Sequence, residues 1–411
     1  MQDPIRKNPL KKTRTALLPP AARSRKAHLL IPPAGRGEFA LPRCAACGAF
    51  AWPVPEACPV CLSPDLPLTA APRGGEVISA TTAEVPADLY FRERAPWRVG
   101  LVAMDCGPQA LVHLHPEAGQ GDRVRLSLVL DRAGQAVLHA APEGERDMAS
   151  DPQWQEMAAD PRRRRVLITD ARHVAALPLA QALLAAGARQ VWLGLDEAWK
   201  PFAGADAIRA LEGAELVPLD LRSDRSVGDL ARDLGGKVEI LVNTADLLRP
   251  GMAFAPSVPA QTREMMEVAA FGLMRLMREF APAMASRGAD GTAPAAAWVN
   301  VTPVIARVPH PRFTGYGTAH AAALALAPAL RQTLGTGGVR LMTAFTGPTD
   351  TDWFDAFPHP KLTGRAIATE IVAALKAGRE ELVIGDLARD WLKRHAENPR
   401  ALEAELARGQ Y

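Results

Sequence analysis

The sequence predicts a multidomain protein in which a metal-bound ribbon and a small β-barrel precede a doubly wound α/β domain. Four of the five cysteines lie in two C-x-x-C pairs within residues 36–72, which predicts the ribbon. Five short strand-like runs over residues 73–142 predict the barrel. Alternating strands and helices over residues 164–411 predict the α/β domain. With 411 residues, the chain is long enough for two or three domains.

The cysteine pairs carry the most specific signal in the sequence. Cys44 and Cys47 stand in the pattern R-C-x-x-C-G, and Cys58 and Cys61 stand in C-P-x-C. Two such pairs complete a tetrahedral four-sulfur site suited to Zn²⁺. Because the protein fills all four positions, the zinc is expected to be structural and not catalytic. An iron ion would use the same ligands, and two local disulfides or free thiols would also be compatible with the spacing.

Composition excludes several classes of function. Hydrophobic residues make up 48% of the chain and charged residues 23%, as in ordinary globular proteins. The net charge of +3 is too small to indicate nucleic-acid binding, and no apolar run reaches transmembrane length, so no membrane partner is expected. The paired cysteines with one spare, Cys106, fit a reducing cytoplasm.

Residues 1–35 are predicted to form a basic N-terminal arm. One interpretation is an arm that meets an acidic partner or a coenzyme A phosphate, and the second is a solvated tail. The prolines at 19–20 and 32–33 interrupt it. Its basic residues are Arg6, Lys7, Lys11, Lys12, Arg14, Arg23, Arg25 and Lys26.

The barrel prediction rests on runs of four to seven residues that are rich in β-branched or alternating apolar side chains. Asp131–Gly134 is typical of a hairpin turn between the last two runs. Five such strands suit a small barrel, most simply of OB type, and this one lacks the aromatic residues and basic stripe that nucleic-acid binding needs. The runs are 77–82, 99–104, 110–114, 124–130 and 136–139.

The ribbon and barrel together resemble the DUF35 family of acyl-CoA-associated proteins. The resemblance covers about residues 36–142 and rests on the two cysteine patterns and on Gly74-Gly75-Glu76-Val77, which begins the barrel. It implies that the barrel helps to form an acyl-CoA site beside a thiolase or a thiolase-like aldolase. Acyl-CoA and a thiolase-like subunit are therefore the implied partners.

Residues 143–163 are predicted to be a linker, because they are dense in charge, proline and glycine. The segment that follows, 164–411, alternates strands and helices as a Rossmann-like parallel sheet does. A Met-rich helix near 262–286 is expected to be core or interface. The predicted strands are 166–169, 190–195, 215–219, 239–242, 297–301 and 340–345.

This second domain resembles the short-chain dehydrogenase/reductase family. The matching landmarks are Asp220 after the third strand, Asn243-Thr244-Ala245-Asp246 where the family has N-N-A-G, and Tyr316 at the start of a helix. The segment 347–351 resembles the family's segment after strand six. The resemblance implies a nicotinamide cofactor and a catalytic tyrosine.

The phosphate-binding turn departs from the family. The family pattern T-G-x-x-x-G-x-G lets the backbone approach a pyrophosphate, but here Thr169 is followed by Asp170, Val174 and Ala176 at the glycine positions. The Asp170 carboxylate would repel a phosphate at this turn. We therefore expect NAD(P) binding to be lost, with Thr169, Asp170, Val174, Ala176, Asp220 and Asn243 as a degenerate cofactor set.

The catalytic residues implied by the resemblance are also largely replaced. The family serine position, thirteen residues before Tyr316, is Pro303, with Thr302 beside it. The lysine four residues after the tyrosine is His320, and the relay asparagine position is Ala269. The sequence therefore predicts a catalytically dead domain, in which Tyr316, His320 and Thr302 would be the candidates if reductase activity persisted.

From these features we expect a non-catalytic subunit of a thiolase-type complex in acyl-CoA degradation, as part of a hetero-oligomer. The partner would supply the catalytic residues. Two alternatives stay open. One is an NAD(P)-dependent short-chain reductase with a drifted site. The second is a scaffold that pairs with another, active short-chain dehydrogenase subunit.

Overall fold

The protein is described by a computed structural model over residues 16–144, 148–287, 294–355 and 357–409. The chain divides into two compact units. The first, called the barrel unit, comprises Leu17–Asp160 together with Leu375–Glu380. The second, called the Rossmann unit, comprises Pro161–Ala374 and Glu381–Tyr411.

The barrel unit begins with helical turns where the sequence led us to expect an arm. A 3₁₀ turn covers Lys26–Leu30 and helix α1 covers Ile31–Arg36. Leu30 and Ala34 are buried in the same core as the barrel residues, because the apolar run around them forms one helical face. The prediction of a basic arm over 1–35 is therefore corrected for its second part, and residues 1–15 lie outside the described residues.

The ribbon has little regular structure of its own. Strand β1 (Ala40–Pro42) pairs antiparallel with β2 (Leu68–Ala70), three residues against three. Phe39, Leu41 and Val54 from this segment pack into the barrel core. A hairpin of this length is not stable alone in water, so the cysteine cluster must hold it together.

The four cysteine sulfurs form that cluster. All four Sγ atoms lie within 4.8 Å of one another, with 3.5 Å between Cys44 and Cys61 and 3.6 Å between Cys47 and Cys58. Sulfurs bound to one tetrahedral zinc at about 2.3 Å are about 3.8 Å apart, whereas disulfide sulfurs are about 2.05 Å apart. The geometry fits a metal site and contradicts two local disulfides.

The barrel closes in the strand order β3-β4-β5-β7-β6. Neighbours are antiparallel, apart from β5 and β7, which pair in parallel. Val124, Leu126 and Leu128 point inward from one strand and alternate with more exposed residues. The OB-type barrel prediction is confirmed. Its elements are β3 (Gly74–Ala83), α2 (Leu89–Arg92), β4 (Trp97–Met104), β5 (Gln109–Leu114), β6 (Arg123–Leu130) and β7 (Ala136–Pro142).

The segment predicted to be a linker contains a packed helix, α3 (Pro152–Met157). Asp151 caps it by accepting a hydrogen bond from the Gln153 backbone N–H at 2.8 Å, and Pro152 occupies the first helical position. Trp154 and Met157 are buried in a core cluster of the barrel unit that also contains Trp97 and Val129. The acid and proline that suggested a linker over 143–163 therefore begin a helix.

The Rossmann unit contains a parallel sheet in the order β10-β9-β8-β11-β12-β13-β14, within the described chain. The doubly wound prediction is confirmed, and β14 is a strand that the sequence did not reveal. The strands are β8 (Arg165–Ile168), β9 (Gln190–Leu195), β10 (Ala214–Pro218), β11 (Ile240–Asn243), β12 (Ala297–Pro303), β13 (Arg340–Thr346) and β14 (Glu381–Ile384).

The helices of this unit lie around the sheet, and two predicted helices are interrupted. A π-helical turn (Glu267–Phe271) separates α7 from α8. The helix that begins near Tyr316 ends at Ala325, and Pro328 lies in the first turn of a new helix, where a proline is tolerated. The helices are α4 (Ala176–Ala185), α5 (Ala205–Arg209), α6 (Asp224–Leu234), α7 (Val258–Met266), α8 (Gly272–Ser286), α9 (Thr314–Ala325), α10 (Ala327–Gly335), α11 (Gly364–Lys376), α12 (Asp386–Glu397) and α13 (Pro399–Ala407).

In the part of the chain that the structure describes, no helix has the length and apolar character needed to cross a membrane.

We predict that the purified protein carries about one zinc ion per chain. Replacing Cys58, whose side chain is fully buried, should remove most of the metal and destabilise the barrel unit, because three thiolates bind zinc less tightly than four. The Rossmann unit should remain folded. Metal analysis and unfolding of the Cys58→Ser variant measure this.

The matched control is Cys106→Ser, because Cys106 lies outside the sulfur cluster. This variant should keep its zinc. Freshly purified wild-type protein that contains neither zinc nor iron would contradict the metal assignment.

Candidate functional site

A large cleft of the Rossmann unit lies where the strand order reverses, beside the carboxyl ends of β8 and β11. It has a volume of about 830 Å³. The segments that follow β8, β9, β10 and β11 form its walls, and they contribute Asp170, Asp196, Asp220 and Asp246. This is the position at which parallel α/β sheets bind their ligands.

The turn after β8 is closed by hydrogen bonds with the segment after β11. The Thr169 hydroxyl donates to Asn243 Oδ1 at 2.9 Å, and it accepts from the Thr244 backbone N–H at 3.0 Å. The Asp170 backbone N–H donates to the Thr244 hydroxyl oxygen at 3.1 Å. Thr169 and Asn243, both predicted cofactor-site residues, thus brace two strand ends against each other.

Asp170 occupies the place where a dinucleotide phosphate would approach. Its Oδ1 accepts the Arg172 backbone N–H at 2.8 Å. The Ala175 backbone N–H donates to His173 Nδ1 at 3.2 Å. Two amides of the turn are therefore already bonded to side chains of the same turn, and they are not directed at a ligand.

The environment of Asp170 also alters its ionisation. Burial raises the pKa of this carboxyl to about 7, and the nearby carboxylates of Asp196 and Asp246 add to the rise. Val174 lines the cleft, while Ala176 is fully buried at the start of α4. The residues of this turn therefore fit a pyrophosphate poorly, because a carboxyl group replaces the first glycine.

Asp220 lies on the opposite wall in a network of charges. Its Oδ1 accepts from Arg222 Nε at 3.0 Å. Asp196 is bridged by Arg222 at 3.3 Å and by Arg172 at 3.3 Å. These arginines are already neutralised by carboxylates of the same wall, so they contribute little positive charge to the cleft.

Tyr316 and His320 lie on α9, one turn apart, with their ring centroids 4.6 Å from each other. Both side chains converge on Asp246. His320 Nε2 lies 3.3 Å from Asp246 Oδ1, and the charge of the same carboxylate acts on Tyr316. Only 2% of Tyr316 and 4% of His320 is exposed. Neither residue is among those that line the described cleft.

The carboxylate governs the chemistry of this cluster. Burial is the main cause that raises the pKa of Tyr316 well above its ordinary value, and the nearby Asp246 carboxylate adds to the rise. Burial alone would raise the pKa of Asp246, but His320, His173 and Tyr316 lower it overall. The tyrosine is therefore held neutral, whereas acid–base catalysis near neutral pH needs a tyrosine with a lowered pKa.

The remaining predicted catalytic candidate, Thr302, does not line the open cleft. Thr302 lies at the end of β12 and is buried. It lines a void of about 10 Å³ together with Ala269, Asn300 and His320, which is room for at most one water molecule. Thr302 therefore lies near His320, but it is not among the residues that line the cleft.

Sequence reasoning missed Asp246 and His173 as members of the cluster. Asp246 was visible as a departure from the family pattern, since it stands where N-N-A-G has glycine, whereas His173 occupies a variable position of the phosphate turn and gave no signal. His320 stands where the family has lysine, and Asp246 stands where it has glycine. The group beside the tyrosine is therefore a carboxylate anion and not a lysine cation. Only the folded structure shows that the two exchanges meet.

Family profiles match three segments of the chain. Residues 33–67 match the ChsH2 rubredoxin-like zinc ribbon domain, and residues 68–129 match the ChsH2 C-terminal OB-fold domain. Residues 164–361 match the short chain dehydrogenase family. No curated protein matches the chain.

Solved structures resemble the Rossmann-type part of the chain. A short chain dehydrogenase from Burkholderia cenocepacia J2315, in complex with NADP, is 27% identical with a TM-score of 0.52, and the match covers 60% of this chain and 98% of that one. A short-chain dehydrogenase from Streptomyces avermitilis is 24% identical with a TM-score of 0.50, and covers 60% and 99%, which supports the fold alone. The chain therefore joins ChsH2-type zinc ribbon and OB-fold domains to a domain of the short-chain dehydrogenase family.

Proposed function

We propose that this protein is an accessory subunit of a thiolase or thiolase-like aldolase complex in acyl-CoA degradation. The three matched domains together support a fused protein related to acyl-CoA metabolism. In this proposal the barrel unit handles the acyl-CoA, the Rossmann unit performs no reaction, and the partner subunit carries the catalytic residues. The complex is a cytoplasmic hetero-oligomer.

One observation carries the proposal: the charged group beside the buried Tyr316 is the carboxylate of Asp246, which lies 3.3 Å from His320 Nε2. A reductase of this fold uses a tyrosine as an acid, with a nearby cation to stabilise the tyrosinate. Here an anion is beside the tyrosine, and a tyrosinate would repel it. The charges around Tyr316 therefore disfavour the proton transfer that reductases of this family carry out.

In this proposal the barrel unit contributes a binding surface and no catalytic group. Its metal site is filled by four thiolates, which leaves no open position for catalysis. Several large apolar side chains of this unit are exposed, among them Val85, Leu89 and Leu111. In this proposal these side chains face the partner subunit.

The scaffold alternative is favoured by a different surface. Phe271 and Met274, at the junction of the π turn and α8, are 41% and 44% exposed. In the family that the second domain resembles, this long helix builds the usual dimer interface. A second short-chain dehydrogenase subunit could pair there while the barrel unit binds the thiolase.

The reductase alternative rests on the cleft of about 830 Å³ at the strand switch point. We predict that NAD⁺ and NADP⁺ do not saturate the wild-type protein below about 1 mM, because the Asp170 carboxylate repels the pyrophosphate. Asp170→Asn should bind more tightly. Calorimetric titration measures both proteins.

The pH dependence supplies an independent check. Since the pKa of Asp170 is raised to about 7, its charge is lost as the pH falls below 7. Any NAD⁺ affinity should therefore rise from pH 8 to pH 6 in the wild type and stay constant in Asp170→Asn. Micromolar affinity of the wild type at pH 7.5 would favour the reductase alternative.

The central prediction concerns activity in the complex. Co-expression with a thiolase-like partner protein should yield a complex that cleaves acyl-CoA, while each chain alone does not. We expect this because the described chain offers no assembled catalytic set. Co-purification followed by an acyl-CoA cleavage assay is the measurement.

Two results would count against this function. One is full cleavage activity of the isolated thiolase, and the second is no association at micromolar concentration. The control is the thiolase mixed with the Cys58→Ser variant, which should stimulate weakly because its barrel unit is destabilised.

A further inference from the structure

The barrel unit contains a cavity of about 260 Å³ that is lined by three arginines. Arg73 precedes β3, Arg125 lies on β6, and Arg379 belongs to the segment Leu375–Glu380. Among the described residues that line the cavity there is no aspartate or glutamate. The cavity is therefore positively charged and small.

The three guanidinium groups are close together. Arg73 Nη2 donates to the Gly37 carbonyl at 3.0 Å, and Arg379 Nε lies 2.9 Å from the point where a Cβ on Gly37 would stand. Burial lowers the pKa of Arg73, and the positive charges of Arg125 and Arg379 lower it further. Like charges thus converge on one cavity, which is unfavourable unless an anion joins them.

These arginines differ from the neighbouring arginines of the unit in having no carboxylate partner. Arg123 pairs with Asp105 at 2.7 Å, and Arg132 pairs with Glu156 at 3.1 Å. Arg73, Arg125 and Arg379 form no ion pair with any described residue. Arg379 Nε is buried and makes no hydrogen bond within the described chain. A buried, unbonded guanidinium N–H is costly, so a ligand acceptor would stabilise it.

The segment that carries Arg379 is fixed by hydrogen bonds within the barrel unit. The Trp154 indole N–H donates to the Lys376 carbonyl at 3.0 Å, and the Ala159 N–H donates to the Leu375 carbonyl at 2.9 Å. The Glu380 N–H donates to the Gly35 carbonyl at 2.7 Å. Arg379 is thus held in place before any ligand arrives, which reduces the entropic cost of binding.

We propose that this arginine cavity binds a phosphate group. Guanidinium groups donate paired hydrogen bonds that match phosphate oxygens, and the charge of three of them more than neutralises a dianion. A volume of about 260 Å³ accepts a phosphate group but not a whole nucleotide coenzyme. The source is either the terminal phosphate of a coenzyme A molecule or free inorganic phosphate. The coenzyme A source alone rests on the proposed function.

Calorimetric titration of the full chain with inorganic phosphate, coenzyme A and dephospho-coenzyme A tests the proposal. Arg379→Gln and Arg125→Gln should each weaken phosphate-group binding about tenfold or more. Arg125 is exposed, so its replacement should leave the fold intact, and zinc content checks that both variants fold. Arg123→Gln, two residues away on the same strand and outside the cavity, should bind as the wild type does.

The ligands distinguish the two sources. The terminal phosphate is the group that dephospho-coenzyme A lacks. If the cavity takes it, coenzyme A binds at least tenfold more tightly than dephospho-coenzyme A. Only the Arg73, Arg125 and Arg379 variants then lose this difference. If it takes free phosphate, inorganic phosphate binds and neither coenzyme competes. No binding of any of the three at about 10 mM, or equal losses in Arg123→Gln and Arg379→Gln, would overturn the site. These outcomes do not depend on whether a thiolase is activated.

Discussion

Four cysteine sulfurs within 4.8 Å of one another constrain the barrel unit more than any other contact. Four thiolates at this spacing repel one another unless a cation neutralises them, and the hairpin around them pairs only three residues with three. Phe39 and Leu41 from this ribbon are buried in the core that also holds Leu126 of the barrel. The metal therefore keeps one side of the barrel core in place, and the rest of the unit depends on it.

In the Rossmann unit a single carboxylate has the comparable role. Asp246 lies 3.3 Å from His320 Nε2, and its charge interacts with Tyr316 and His173. Together with Asp170 at the phosphate turn, these residues give the site a different charge from that of the family pattern, while the sheet and the cleft are kept. Under the proposed function, this unit serves as a surface for other subunits.

The barrel strands, six strands of the parallel sheet and the cysteine cluster could be predicted from the sequence, because hydrophobic periodicity and cysteine spacing are local signals. Contacts between elements that are distant in the sequence could not be predicted. Asp246 and His173 meet at the carboxyl ends of two strands, and the segment that carries Arg379 joins the barrel unit across more than 200 residues from Trp154. Local chemistry also misled us at Trp154, since a capping aspartate and a proline begin a helix as readily as they mark a linker.

The most direct test of this account is the rate of acyl-CoA cleavage by the thiolase-type complex when the chain carries Tyr316→Phe together with His320→Ala. If the Rossmann unit has no catalytic role, the rate should stay within about twofold of the wild-type complex. Added NAD(P)H should change neither rate. A loss of more than about tenfold, with the complex still assembled, would show that these residues take part in the chemistry and would contradict the account.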